Sequence, residues 1–302
     1  MKKRISCLLC LLAVLCACAS ALGEVKVYLN KQPPKDWNSR KLMRLIVFKT
    51  PGTDSMLLQV GGKNMIIDAW KVWVNDLMKA YKELGLTDKK GRVHVNTIFN
   101  THPHDDHLLG LIRMVQNKGL TADEFMTSFP KNYKDPFNKE AEDLHRQALK
   151  LMQKKKIPVR YLKQNQLLNY GGAKIRVFWN KRGHDPNQLS AVMHITFGEA
   201  TLLLTADIVP TTEKVLLHQV PITYLRADIM KMPHHAYNIC VEEFLDAVSP
   251  KLVFANNWER ATRDTAYQMR HKGIKYVTHD KGRIVLETDG KVWYVTQIRW
   301  KF

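Results

Sequence analysis

Cysteine is scarce and unevenly placed: of five in 302 residues, Cys7, Cys10, Cys16 and Cys18 fall at the start of the chain and only Cys240 lies beyond. If that start is removed, one thiol remains, so no intramolecular disulfide can form and no thiolate-rich zinc site can be built. Histidines and carboxylates are then the available metal ligands. No stretch rich in Pro, Gly or Ser separates one part of the chain from another, and there is no low-complexity run. With 45% hydrophobic and 25% charged residues, one folded domain over residues 22–302 is expected. Acidic residues are outnumbered, 28 against 47 Lys and Arg, for a formal charge of +19. Such an excess raises encounter rates with polyanions, whether nucleic acid, teichoic acid or anionic lipid, without specifying any chemistry.

Lys2, Lys3 and Arg4 precede an uncharged apolar or small run over residues 5–21. This is the pattern of a signal peptide over residues 1–21, with cleavage after Ala21, and it is short for a membrane span of about 20 residues. An exported protein, extracellular or at the cell surface, is expected, carrying about +16 once the three early basic residues are gone. Leu15-Cys16-Ala17-Cys18 also approximates a lipobox, in which a lipidated Cys18 would attach the protein to a membrane.

Hydrophobic periodicity alternates between strand and helix. Strands are expected at residues 25–29 and 43–48, and a hairpin of 55–60 with 63–68 turns on Gly61-Gly62. From 69 to 86, Trp70, Val74, Leu77, Tyr81 and Leu84 recur at helical spacing before Gly85. A strand at 93–99 leads through Asn100-Thr101 into an amphipathic helix marked by Leu108, Leu109, Ile112 and Val115. Helices at 141–156, 241–248 and 260–272 interleave with strands at 174–179, 191–197, 201–205, 228–232, 252–255, 275–278 and 283–288. Two β-rich halves, each with helices, predict a two-sheet sandwich with the helices outside.

Between the 93–99 strand and its helix, His102-Pro103-His104-Asp105-Asp106-His107 packs three histidines and two carboxylates together. In an extended loop, residues two apart point the same way, so His102 and His104 grip one ion while Asp106 and His107, past the turn, face a second. A two-metal pair suits hydrolysis, because one ion lowers the pKa of bound water towards about 7 while the other steadies a developing oxyanion. Imidazole and carboxylate donors suit zinc, manganese or iron. Asp105 stands instead at the helix start, where its charge meets the positive end of the helix.

The H-x-H-x-D-H motif resembles that of the metallo-β-lactamase superfamily, and further motifs follow in that family's order. The resemblance implies an α/β (α+β) fold, a four-layer αββα metallo-β-lactamase sandwich. It implies a hydrolase with two divalent metal ions, zinc or manganese, on His102, His104, Asp106, His107, Asp207 and one or both of His234 and His235. Asp106 and His107 are the implied catalytic residues. Asp207, closing Leu202-Leu203-Leu204-Thr205-Ala206, takes the bridging place, and Asp68 supports the metal loop from behind its ligands. His184 or Asn187 lies near the place of the family's third histidine motif.

Residues 42–290 are most similar to the hydrolase domain of ComEC-type competence proteins and their free-standing relatives. Four features carry this: the HPHxDH form, Asn187-Gln188-Leu189-Ser190-Ala191-Val192, Lys231-Met232-Pro233-His234-His235, and Tyr276-Val277-Thr278 with Gly282-Arg283-Ile284. Ala206 and Ala236 depart from it, each standing where the family usually has Gly, and its Gly-His-Pro element has no counterpart in 256–263. The resemblance and the charge together imply a phosphodiesterase or nuclease whose partner is nucleic acid or another anionic polymer; they imply no protein partner. Lys154, Lys155, Lys156, Lys181 and Arg182 are candidates for its phosphate contacts. The same site would serve a lactone, β-lactam, thioester or wall-polymer phosphoester, and a catalytically silent polyanion-binding protein is the reading from another class.

Overall fold

In the computed structural model, which describes residues 24–299, the chain forms two β-sheets packed face to face. The expected signal segment and Cys18 lie outside the described residues. One sheet runs β1 (Lys26–Leu29), β16 (Val292–Ile298), β15 (Arg283–Thr288), β2 (Met43–Val47), β3 (Met56–Val60), β4 (Lys63–Ile67), β5 (His94–Asn100), β6 (Thr121–Thr127), β7 (Val159–Tyr161). The other runs β14 (Lys275–Val277), β13 (Leu252–Phe254), β12 (Ile229–Lys231), β11 (Ala200–Leu204), β10 (Val192–Phe197), β9 (Ala173–Phe178), β8 (Gln166–Tyr170).

Strand alternation assigns each apolar side chain to a layer. Leu45, Leu58 and Ile67 of the first sheet meet Ile175, Met193, Leu204 and Phe254 of the second in the central core. The opposite parity, Ile46, Leu57, Ile66 and Ile98, packs beneath α1 (Val74–Glu83), α2 (Asp105–Asn117) and α3 (Lys139–Lys155). Val192, Leu203, Met230 and Val253 pack beneath α4 (Pro210–Gln219), α5 (Glu242–Val248) and α6 (Arg263–His271). These layers make the expected αββα sandwich. Each fully buried Leu, Ile, Val or Phe contributes about 1.5–3 kcal/mol, so the core rather than any cross-link holds the sheets together; Cys240 is buried and free. Among the described residues no helix is long and apolar enough to cross a membrane.

Two departures from expectation bear on the site. The helix expected from residue 69 begins only at Val74, after a short 3-10 turn at Lys71–Trp73. Ala69 is diverted into the metal loop, its N–H donating to His107 O and its carbonyl accepting from the Gly110 N–H, both at 2.8 Å. A Cβ on Gly110 would lie 2.4 Å from Ala69 O, so glycine alone lets α2 come this close. The other departure is additional structure: β6, β7, β8, α4 and β16 lie outside the elements that periodicity predicts, and β16 supplies the parallel partner of β1 and the antiparallel partner of β15. Because β4 runs parallel to β5, and β11 to β12, the segments leaving these four strands converge at one edge of the sandwich.

Candidate metal centre

Those four segments deliver the histidines and carboxylates. Asp68 follows β4, the histidine cluster follows β5, Asp207 follows β11 and His235 follows β12. The turns are tight: Asp68, Ala206, His234, His235 and Ala236 all have positive φ, between +46° and +64°. Nine non-glycine residues of the described chain do so, and more than half of them lie in these connections, where strain marks a functional site.

His102 Nε2 and His104 Nδ1 face each other at 3.1 Å, as two ligands aimed at one point would. Beside them, His107 Nε2 lies 3.1 Å from Asp207 Oδ2 and 3.4 Å from Asp106 Oδ2. His235 Nε2 lies 2.9 Å and 3.5 Å from the same two oxygens. The donor atoms of Asp106, His107, Asp207 and His235 are all within 4.8 Å of one another. The His102 and His107 ring centroids are 4.1 Å apart, so the two groups are contiguous. His234 stands outside: its Nδ1 is 3.1 Å from Asn238 Oδ1 and its ring packs edge-on to Tyr237. Of the two histidines expected to supply one or both ligands, His235 is the one that joins this cluster, the two successive left-handed residues placing the rings on different neighbours.

Each ligand is held from behind. Asp68, fully buried, accepts from the Thr101 N–H at 2.9 Å, from Asn100 Nδ2 at 3.1 Å and from His107 Nδ1 at 2.8 Å, leaving His107 Nε2 for a metal. It does not act as a helix cap. Asn138, the N-cap of α3, accepts from the Ala141 N–H through Oδ1 and turns its amide to His104 Nε2 at 3.2 Å. Thr53 Oγ1 donates to the Asp106 carbonyl. Asp105 lies in the first turn of α2, its carboxylate 3.9 Å from Lys71 Nζ. His184 is exposed, whereas Asn187 Oδ1 is buried without a hydrogen-bond partner.

Two supporting residues were given no role from the sequence, although Lys231 stands in the motif that ends in His234-His235. Asp54 lies with its Oδ1 3.3 Å from His235 Nδ1, and Lys231, with no exposed side-chain surface, reaches Asp54 Oδ2 at 2.9 Å and Asp207 Oδ1 at 3.6 Å. Lys231 occupies the parity of Ile229, which faces the central core. A lysine on the inward face of an apolar strand was the available signal.

Burial opposes every charge here, and neighbours of opposite sign override it. Despite burial, Asp207 is held well below the usual carboxylate range by His107 and His235. Burial works against protonated His107 and His235, yet the surrounding carboxylates raise both well above the ordinary histidine value. Burial, reinforced by His107 and His104, pushes His102 down. Four carboxylates (Asp54, Asp68, Asp106, Asp207) share this volume with one ammonium. Divalent cations bound here would offset this excess of negative charge and compete with protons for the imidazoles. Asp207 Oδ1 has no hydrogen-bond partner, and an all-imidazole and carboxylate donor set fits zinc, manganese or iron.

This is the architecture of a metal-dependent hydrolase on an αββα sandwich. Residues 50–251 match the family model described as the metallo-beta-lactamase superfamily, and the chain belongs to that superfamily. Among solved structures it is similar to the metallo-beta-lactamase fold protein YhfI from Bacillus subtilis, at 13% identity over 82% of this chain and 100% of that one, with a TM-score of 0.51. It is also similar to CmlA, a diiron beta-hydroxylase from Streptomyces venezuelae, at 12% identity over 85% of this chain and 55% of that one, with a TM-score of 0.50. At such identities the likeness shows the fold. The comparison with curated proteins gives no match.

Proposed function

We propose that the protein is an exported two-metal phosphodiesterase, nuclease-like in type, acting on nucleic acid or another anionic polymer. The observation that carries this is the pair of contiguous donor groups, His102 with His104 and Asp106 with His107, Asp207 and His235. Bound there, two divalent cations, zinc or manganese, would supply an activated water and charge neutralisation at a phosphoryl centre. His102 and His104 would hold one, and Asp106, His107, Asp207 and His235 would hold the other. Asp106 is the one carboxylate of the four with appreciable exposure, 26% of its side chain, so it is the group placed to exchange a proton with substrate or solvent. Net charge supports an anionic substrate.

A second reading keeps the site and changes the bond to a lactone or thioester. The same donor set supports it, because a metal-activated water attacks a carbonyl centre as well as a phosphoryl one. The test incubates the full chain with Mn²⁺ or Zn²⁺ against DNA, RNA, bis(p-nitrophenyl) phosphate and a lactone. Hydrolysis of the phosphodiesters, lost in His104→Ala with the melting curve retained, is expected. Turnover confined to the lactone would transfer the assignment to the second reading, and no turnover on any substrate would leave a binding protein.

A further inference from the structure

We infer that Asp54 and Lys231 form a buried ion pair that positions His235 and Asp207, and so sets the affinity of the second metal position. Both side chains are wholly buried, which is expensive for charges unless they are paired. Lys231 Nζ is surrounded by acceptors: Asp54 Oδ2 at 2.9 Å, Ala206 O at 2.8 Å, Met232 O at 3.3 Å and Asp207 Oδ1 at 3.6 Å. Ala206 and Met232 belong to the turns that deliver Asp207 and His235. One ammonium therefore ties together both turns after β11 and β12, and by drawing on Asp207 Oδ1 it leaves Asp207 Oδ2 facing His107 and His235.

Asp54 completes the arrangement on the other side. Its Oδ1 accepts from Asn256 Nδ2 at 2.8 Å and faces His235 Nδ1 at 3.3 Å. His235 thus stands to Asp54 as His107 stands to Asp68: a buried aspartate at Nδ1, and Nε2 turned to Asp106 and Asp207. Carboxylates in this relation fix the ring orientation of metal-binding histidines and raise their basicity, and their loss weakens metal affinity about 10–100-fold. Asp54 also adjoins Thr53, which donates to the Asp106 carbonyl. The turn before β3 therefore steadies two ligands at once, and Asp54 and Lys231 act as positioning residues without touching substrate.

The inference rests on the metal-centre reading above, and the experiment separates the two. Full-length wild type, Asp54→Asn, Lys231→Met and the double variant are stripped of metal, melted, and titrated with Mn²⁺ by calorimetry. Wild type is expected to bind two ions. Asp54→Asn, nearly isosteric, is expected to keep its fold and bind one ion about 10–100-fold more weakly. Lys231→Met alone leaves two buried carboxylates uncompensated and should melt far below wild type. Removing both charges should recover most of the melting temperature while metal binding stays weak. A double variant that binds both ions as wild type does would overturn the positioning role and leave the pair purely structural. Wild type that binds no Mn²⁺ would overturn the metal-centre reading itself.

Discussion

Ala206 holds φ +49 and Ala236 φ +64, in the left-handed region where an L side chain is disfavoured by roughly 1–2 kcal/mol. These are the two positions at which the expected motifs carry glycine, and both lie in turns of positive φ. Ala206→Gly is expected to stabilise the metal-free chain by less than about 1 kcal/mol, because part of the relief is offset by glycine's greater freedom when unfolded. A rise of a few degrees in the melting temperature checks this, and a fall would show that the turn before Asp207 is unstrained. At this scale the sequence was legible wherever chemistry was dense. Six residues holding three histidines and two aspartates have few other uses. Asp54 was illegible because a single aspartate before a strand looks like a solvated charge, and the role of Lys231, though its inward parity was a signal, shows only once the fold brings the two together.

Helix α4 illustrates what periodicity misses. Its inward face carries Thr212, Glu213 and Leu216, so polar residues occupy positions where an apolar stripe would have revealed a helix. The edge strand β7 spans only Val159–Tyr161 and is partly exposed, too short and mixed to stand out, while β16 lies beyond the last expected strand, which ends at 288. By contrast the central strands, buried on both faces, were readable as apolar runs. Glu213 has a measurable consequence. Burial pushes its carboxyl up to about 7, against the Val241 N–H and Cys240 thiol that donate to Oε2. The folded value lies above the ordinary 4.5, so the stability this group contributes is complete below about pH 4.5 and is lost as pH rises through 7. The whole change is about 3 kcal/mol. Wild type should therefore lose more melting temperature between pH 5 and 8 than Glu213→Gln, and parallel declines would show that Glu213 ionises freely in the fold.

Across the whole molecule, the excess of basic charge is the feature least tied to the metals. Lys154, Lys155 and Lys156 are exposed at the end of α3, whereas Asn138 at its start touches His104. Seventeen helical residues at 1.5 Å each separate them by about 25 Å, so this run does not border the site. Lys181 and Arg182 are also exposed, on the loop that carries Asn187. If they hold phosphates, Lys181→Ala with Arg182→Ala should flatten the log–log salt dependence of DNA binding by nearly one unit for each phosphate released, with metal content unchanged; an unaltered slope would remove them from the substrate path. The proposed two-metal centre is tested most directly by adding Mn²⁺ stepwise to the metal-free full chain while following bound metal and cleavage of bis(p-nitrophenyl) phosphate together. The account predicts two ions per chain, with turnover appearing as the second binds and absent in Asp207→Ala. Cleavage that persists undiminished in excess chelator, or a chain that takes up no metal, would contradict it.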